Sequence, residues 1–306
     1  MTSDTAHSKQ DRAFTLIRNP VAGWSKDKFT LQVADHLRSS GANVHTELTE
    51  RPGHATDIAR EIATQNPDRI IIAAGGDGTI REVAEGVFET ISTMGIIPAG
   101  NANVLAREIG YGTGGLSNPQ SVARHLLSMT PLQLFPFQVT LQNQTRLAMC
   151  WAGIGFDAEI LARVNPAHKK RFGRAAFVPA TASALLQEKH HPVIPTTLQL
   201  PQAYWLLAAN IRSYAGPFKI STTSACAAPG LHVHSFEGYG SLARLWDMVS
   251  ISFHKTGNKT TCFVEKESFT AGDETTPIQI DGDFVGYGPV TVTPLQTSIN
   301  ILGTMP

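Results

Sequence analysis

The sequence has few cysteines, no net charge and no long apolar run. Its three cysteines, Cys150, Cys226 and Cys262, are far apart and form no CxxC pair, which disfavours both a zinc site and a disulfide framework. Lysine plus arginine balances aspartate plus glutamate at 25 each, so the chain lacks the overall positive charge that accompanies nucleic-acid binding. The zero net charge does not exclude a membrane partner, because a local charged patch would suffice for membrane contact.

No stretch approaches the ~18 to 20 consecutive apolar residues that a membrane-spanning helix requires. The N-terminal segment MTSDTAHSKQDR is polar and lacks the apolar core of a signal peptide. We therefore expect a globular, cytoplasmic protein whose contact with a membrane is peripheral and at its inner face.

The order of the apolar runs predicts two domains. A chain of 306 residues, 42% of them apolar, can bury two ordinary cores. Its first part alternates short apolar runs with helical patterns, which is typical of a parallel sheet with crossover helices. From about Leu132 the runs have strand lengths, which indicates mostly β structure with helices at Ala175–Lys189 and Ser241–Phe253. We place an α/β domain at residues 12–130 and a mostly β domain at residues 131–306.

The sequence GGDGT, residues 75–79, follows the apolar strand Arg69–Ala74 and precedes a helix predicted at Ile80–Phe88. A loop in this position aims backbone N–H groups and the positive end of the helix dipole outward, so it attracts phosphate. Its glycines let the backbone approach a ligand closely. Asp77 would repel a phosphate unless a metal ion bridges the two or the carboxylate handles a proton, so we favour a chemical role. The alternative is an aspartate cap on the following helix, although Thr79 is nearer to the natural cap position.

Four further motifs stand in order around this loop. They are RNP at residues 18–20, TERPGHA at 49–55, IIPAGNANVLARE at 96–108 and IDGDF at 280–284. Together with GGDGT they resemble the diacylglycerol kinase and sphingosine kinase superfamily of lipid kinases, most of all its soluble bacterial members, from about Thr15 to Ile301. The resemblance implies a nucleotide-binding α/β domain, a C-terminal β-sandwich for a lipid acceptor, and a cleft where ATP meets the lipid hydroxyl.

The resemblance also implies roles for individual residues. ATP and Mg²⁺ are the expected cofactors, and Asp77 is the candidate metal ligand. The catalytic candidates are Asp77, Asp157 and Asp283. The candidate nucleotide contacts are Asn19, Thr49, Gly75, Gly76, Gly78, Thr79, Gly100, Asn101 and Asn103. Structural roles stay open as well, because Asn19 suits a simple turn and Asn101 or Asn103 suits a helix N-cap.

Two rival functions are weighed against a lipid kinase. GGDGT would also suit an NAD kinase, but PAGNANVLARE at residues 98–108 is similar to the lipid-kinase pattern rather than to the glycine-asparagine stretch expected of NAD kinases. A non-catalytic lipid or nucleotide sensor is the second rival. Two departures from the family pattern favour this hypothesis. Val104 stands where many family members have aspartate, and Asp283 stands where they usually have glutamate.

Two acidic motifs in the C-terminal half are candidate parts of the acceptor site. AGIGFDA, residues 152–158, satisfies the GxGxxA dinucleotide pattern, but no acidic residue follows about twenty positions later. Under the resemblance its Asp157 lies beside the acceptor's head group, and the rival is a solvated turn carboxylate. Asp281 and Asp283 alternate within a strand pattern, so we expect both carboxylates on one strand face, with Asp283 as the base. The rival is an ordinary β-turn.

Residues 168–174, HKKRFGR, form the one dense basic run of the sequence. Such runs are usually solvated faces, and the alternative is contact with nucleotide phosphates or anionic lipid heads. The expected partner is a lipid at a membrane surface, without nucleic acid.

Overall fold

The protein is seen in a computed structural model. The structure describes residues 12–20, 24–111, 118–165, 173–186, 192–193, 195, 198, 202–215, 218–252 and 260–305. The chain forms two compact units, one of Met1–Leu134 with Ser298–Pro306 and the other of Phe135–Thr297. Among the described helices, none is both long and apolar enough to span a bilayer.

The first unit is built on one mixed sheet. Its strands are β1 (Ala13–Arg18), β2 (Asn43–Leu48), β3 (Ile70–Gly75), β4 (Thr93–Pro98), β5 (Pro131–Leu134) and the last strand of the chain, β18 (Ile299–Leu302). Its helices are α1 (Trp24–Ser39), α2 (His54–Gln65), α3 (Asp77–Val87), α4 (Val104–Glu108) and α5 (Pro119–Ser128). Helix α3 begins at Asp77, three residues before the predicted start.

The strand order in this sheet is β2-β1-β3-β4-β18-β5, and all neighbours are parallel except β18 and β5. The chain crosses from β1 to β2 in one direction and then returns past β1 to β3. Because such crossovers are right-handed, α1 covers one face and α2 and α3 the other. The packing of α1 against α5, and of α2 against α3, agrees with this arrangement. Helices on both faces explain why β3, with the sequence IIIAAG, is buried along almost its whole length.

The last strand departs from the domain division expected from the sequence. Residues 298–306, which the prediction placed in the C-terminal domain, belong to the first unit, where β18 lies between β4 and β5. The buried Tyr111 fixes this strand, because its hydroxyl donates to Leu302 O at 3.2 Å and accepts from Ile96 N at 3.1 Å.

The second unit contains antiparallel sheets and short helices. Its strands are β6 (Phe137–Leu141), β7 (Gln144–Ala148), β8 (Trp151–Gly155), β9 (Trp205–Ala209), β10 (Ser213–Tyr214), β11 (Phe218–Lys219), β12 (Leu231–Phe236), β13 (Thr260–Glu265), β14 (Phe269–Ala271), β15 (Pro277–Ile280), β16 (Asp283–Tyr287) and β17 (Val290–Pro294). Its helices are α6 (Phe156–Arg163), a 3-10 turn (Gly173–Ala176), α7 (Phe177–Leu185) and α8 (Ser241–Ser252).

Two of these sheets form a β-sandwich. The six-stranded sheet has the order β13-β12-β9-β8-β15-β16 and the four-stranded sheet the order β14-β17-β6-β7. Alternate residues of the larger sheet, such as Ile154 and Val233, share one core with Phe137 and Val292 of the smaller sheet. The other face of the larger sheet is partly covered by α6, which packs on β8 and β15. Both faces are thus covered, so β8, β9 and β12 are buried throughout. The predicted fold class, an α/β unit followed by a mostly β-sandwich unit, is confirmed.

Candidate functional site

The carboxyl ends of four parallel strands form one edge of the first unit's sheet. Asn19 follows β1, Thr49 follows β2, Gly76 follows β3 and Ala99 follows β4. The strand registers bring the four positions to the same edge within one residue, since Arg18 pairs with Leu48 and with Ala74, and Gly75 pairs with Pro98. Helices α1 and α3, which follow β1 and β3, cover opposite faces of the sheet, so the switch point of the sheet, with its crevice, is expected between these two strands. Open α/β sheets bind their ligands at such a switch point.

Two glycine loops at this edge are in direct backbone contact. A Cβ atom on Gly100 would lie 2.6 Å from Gly76 Cα and would also collide with Asn103 Oδ1. A Cβ atom on Gly75 would lie 2.5 Å from Thr79 Oγ1. These glycines therefore serve the packing of the loops on each other, besides the ligand approach that the sequence suggests for them.

Asp77 joins the two loops through its carboxylate. Its Oδ2 accepts a hydrogen bond from Asn103 N at 3.1 Å, and its Oδ1 accepts one from Val104 N at 2.8 Å. Val104 is the first residue of α4, so the aspartate caps a helix other than its own. Its own helix, α3, has Gly76 at the N-cap position and no side-chain cap. Thr79 lies inside α3, so the prediction that Thr79 is near the N-cap position of this helix was wrong.

Asn103 shapes the second loop from within. Its φ is +48°, and its side-chain Oδ1 accepts from Gly100 N at 2.8 Å. Its Nδ2 donates to Gly100 O at 3.0 Å and to Pro98 O at 3.3 Å. Both amide protons are thus used inside the loop, which gives this side chain a structural role. It is not a side-chain cap of α4, whose N-terminus is held by Asp77.

The remaining nucleotide candidates lie along the same edge. Thr49 is buried, and its backbone N–H donates to Arg18 O at 2.9 Å. Arg18 in turn forms an ion pair with Asp27 of α1 at 2.5 Å. Asn19 is half-buried and Asn101 is exposed. The edge thus assembles most of the expected nucleotide contacts in one unit.

In the second unit, Asp157 is a buried carboxylate on the first turn of α6. Its Oδ2 accepts from Gln279 Nε2 at 2.8 Å and from Tyr214 OH at 3.2 Å, whereas no side chain in the described part of the protein donates to its Oδ1. Burial raises the pKa of Asp157 to about 7. The rival reading as a solvated turn carboxylate was wrong. Gln279 was not among the predicted site residues. Its alternation with the core residues of β15 places it on the helix-covered side of the sheet.

The GxGxxA pattern has a local explanation. A Cβ atom on Gly153 would collide with the Asp157 carboxylate, so the first glycine makes room for that side chain. Gly155, with φ +95°, turns the chain from β8 into α6. Strand β8 is antiparallel to both neighbours, unlike the first strand of a dinucleotide-binding unit. The structure therefore agrees with the prediction that GxGxxA is not a dinucleotide-binding motif here.

The DGD sequence forms a hairpin turn, not a continuous strand. Asp281 and Gly282 have φ of +50° and +87° and make the two-residue connection between β15 and β16, as in a type I′ turn. The two carboxylates therefore do not share a strand face, and that expectation was wrong. Asp281 accepts from the backbone N–H groups of residues 149–151 at 2.8 to 3.0 Å, so its role is structural. Asp283 is exposed at the start of β16.

The basic run at residues 168–174 lies outside the described residues, except for the backbone of residues 173–174. Within the part of the chain that the structure describes, no group of three or more His, Cys, Asp or Glu side chains is arranged to hold a metal ion.

Comparison with known proteins finds kinases that are similar to this chain. Residues 13–133 match the model of the diacylglycerol kinase catalytic domain. A diacylglycerol kinase of Bacillus subtilis is 41% identical over 98 residues, which cover 31% of this chain and 32% of that enzyme. YtlR of the same species, named as a candidate lipid kinase, is 23% identical over 94% of this chain and 98% of its own length.

The fold is shared over a longer span than the catalytic domain. The crystal structure of a candidate diacylglycerol kinase from Bacillus anthracis superposes with a TM-score of 0.76 at 19% identity, covering 99% of each chain. At this identity the likeness concerns the fold alone. With residues 13–133 matching the diacylglycerol kinase catalytic domain and kinases among its relatives, the chain is a kinase that carries a segment similar to this domain.

Proposed function

We propose that the protein transfers the γ-phosphoryl group of ATP to the hydroxyl group of a lipid. The observation that supports this most directly is the switch-point crevice between the loops after β1 and β3, inside the segment that matches the diacylglycerol kinase catalytic domain. The related enzymes named as diacylglycerol and lipid kinases support the same class of acceptor.

The nucleotide phosphates would lie at the start of α3. This helix has no side-chain cap, so phosphate oxygens can accept hydrogen bonds from the N–H groups of its first turn. Asp77 positions this loop against the loop that carries Gly100 and Asn103. Phosphoryl transfer depends mainly on such positioning and on charge stabilisation.

The residues at this edge suit a magnesium ion held mainly by the nucleotide. Mg²⁺ in kinases commonly has one or two carboxylate ligands, the remaining ligands being phosphates and water. Asp77 places a carboxylate between the two glycine loops, so it is the side chain that would hold the ion. The ion would neutralise charge on the transferring phosphoryl group.

Two carboxylates of the second unit suit the lipid hydroxyl. Asp157 offers a buried oxygen to which no described side chain donates, and a pKa of about 7 suits a group that exchanges a proton near neutral pH. Asp283 is exposed, and we assign it the role of proton acceptor. Because the acceptor is a lipid, the enzyme works at a membrane surface through peripheral contact.

The test is phosphoryl transfer from labelled ATP to diacylglycerol, monoacylglycerol, sphingosine, phosphatidylglycerol and NAD. Product on a lipid supports the proposal, product on NAD alone replaces it with an NAD kinase activity, and no product with bound ATP replaces it with a nucleotide-binding regulator. Asp283→Ala is expected to lose ~10² to 10⁴ in rate if this residue is the base. The matched control is Glu274→Ala, which removes another exposed carboxylate of the same unit and is expected to keep the wild-type rate.

A further inference from the structure

Helix α8 (Ser241–Ser252) has its polarity reversed. Arg244, Asp247 and Ser250 are buried, and Arg244 is 0% exposed. Leu242 is 85% exposed and Trp246 64% exposed. A surface helix of a globular protein ordinarily buries its apolar stripe and exposes its charges. The reversal indicates a polar ligand on the inner side of α8 and an apolar medium on the outer side.

On the inner side, the buried guanidinium of Arg244 has an ion-pair partner in Asp247 but lacks hydrogen bonds to the described residues. It lies over the rings of Tyr204 at 5.4 Å and Phe156 at 6.0 Å, and its Nη1 is 3.2 Å from Asp247 Oδ2. Among the residues that the structure describes, none donates or accepts a hydrogen bond with any of its three nitrogens. A guanidinium carries five N–H donors, and leaving buried donors unpaired is costly.

A second unpartnered donor lies beside the same aromatic side chains. The Nε1 atom of the buried Trp205 finds no hydrogen-bond partner within the described ranges, and its ring packs on Phe156 with centroids 6.0 Å apart. Burial lowers the pKa of Arg244 and raises that of Asp247 to about 6, as expected for a charged pair removed from water. Planar donors that lack partners match the oxygens of a phosphate group.

On the outer side, the apolar side chains extend beyond α8. Tyr239, just before the helix, and Leu186, just after α7, are both exposed. Ser241 Oγ donates to Leu185 O, which joins the end of α7 to the start of α8. The ring of Tyr239 also packs on Tyr204, 5.2 Å away, and so links this outer surface to the aromatic group around Arg244. Trp and Tyr are the side chains enriched where a bilayer meets water.

We propose that α8 is the membrane-contacting element of this protein, with Leu242, Leu245 and Trp246 inserted at the bilayer surface and Arg244 bound to the phosphate of a phospholipid. This membrane-contact proposal extends the proposed function. It rests on that function only for the identity of the acceptor. The acceptor is then a phospholipid that carries a free hydroxyl group in its head, as phosphatidylglycerol does, rather than an uncharged diacylglycerol.

The outer side is tested by sedimentation with phosphatidylglycerol vesicles. The double variant Leu242→Asp, Leu245→Asp is expected to bind at least about tenfold more weakly, because each aspartate replaces apolar contact with a charge. Leu31→Asp on α1 is the control, since Leu31 is another exposed leucine, and it is expected to bind as the wild type does. Brominated lipid should quench the wild-type fluorescence more than that of Trp246→Phe. Equal binding of the double variant and the wild type would overturn the membrane role of α8.

The inner side is tested by the affinity for soluble dihexanoyl phosphatidylglycerol. Arg244→Gln is expected to bind it at least ~30-fold more weakly. Arg244→Lys keeps the charge without the planar fork and is expected to lose about tenfold, and it decides the question if Arg244→Gln does not fold. Wild-type affinity in the folded variants would overturn the assignment. Equal affinity of the wild type for inorganic phosphate would assign the site to free phosphate and would also overturn it.

Activity separates this inference from the proposed function. Arg244→Lys should lower kcat/KM for phosphatidylglycerol and leave that for diacylglycerol within about threefold. If the wild type phosphorylates no lipid yet binds dihexanoyl phosphatidylglycerol through Arg244, the lipid kinase proposal fails and the phosphate site stands. If diacylglycerol is phosphorylated and phosphatidylglycerol is neither bound nor phosphorylated, the kinase proposal stands and the acceptor assignment fails.

Discussion

Asp77→Asn tests whether the aspartate of GGDGT holds two loops together. In the wild type each carboxylate oxygen accepts one backbone N–H, from Asn103 and from Val104. An amide can accept only one of these and turns its NH₂ group towards the other donor. Hydrogen bonds to a charged group contribute ~1.5 to 3 kcal/mol, so the substitution is expected to lower the free energy of unfolding by about 2 kcal/mol. That corresponds to a fall in Tm of about 4 to 8 °C.

The assays are thermal unfolding and ATP affinity, with Asp57→Asn as the control. Asp57 forms an exposed ion pair with Arg51, and exposed pairs contribute ~0 to 1 kcal/mol, so the control should change Tm by about 4 °C at most. We expect ATP to bind more weakly to Asp77→Asn, because the start of α3 loses its position relative to the second glycine loop. An unchanged Tm and ATP affinity together with abolished phosphoryl transfer would refute the clamp and leave a purely chemical role for Asp77.

Three further outcomes are expected. Gly100→Ala should reduce both Tm and ATP affinity more than Gly76→Ala, because its Cβ meets Gly76 Cα at 2.6 Å whereas the reverse contact is 3.3 Å; equal effects would contradict the packing argument. Because the pKa of Asp157 is raised to about 7, the native state holds a proton that the unfolded state releases near pH 4, so stability falls between about pH 4 and 7. Urea unfolding of Asp157→Asn should show a stability advantage over the wild type that grows across this window, and a pH-independent difference would count against the shift. Asp281→Ala should lower Tm strongly through the loss of three backbone hydrogen bonds, whereas substitution of the exposed Asp283 by Ala should lower Tm less, and the opposite order by calorimetry would reverse their roles.

The sequence predicts the fold well where a signal is local. Buried strands such as IIIAAG and the glycines that follow them define the sheet edge, because parallel strands covered on both faces must be apolar throughout. The turn in DGD was also encoded locally, since Asp-Gly favours positive φ at both turn positions. The alternation of residue types alone does not predict this turn, because alternation carries no information on φ.

Other features depend on residues far apart in the chain. The backbone N–H groups that donate to Asp77 lie 26 and 27 residues away, so no local pattern distinguishes a cap on α4 from a free carboxylate. The same holds for Asp157, whose burial follows from contacts with Tyr214 and Gln279. The reversed polarity of α8 was in the sequence, but periodicity does not reveal which face of a helix points inward.

The position of β18 has a consequence for the order in which the chain acquires its structure. Strand β5 pairs only with β18 in the sheet, and β4 loses its neighbour on that side without it. During synthesis the first unit therefore cannot complete its sheet until residues 299–302 have emerged. These residues emerge after the whole second unit, so the β-sandwich can fold first. A fragment ending at Leu134 would present β4 as an open edge, ready to pair with another chain. Separating the catalytic domain from the sandwich would thus require joining residues 298–306 to the fragment, as in a circular permutant.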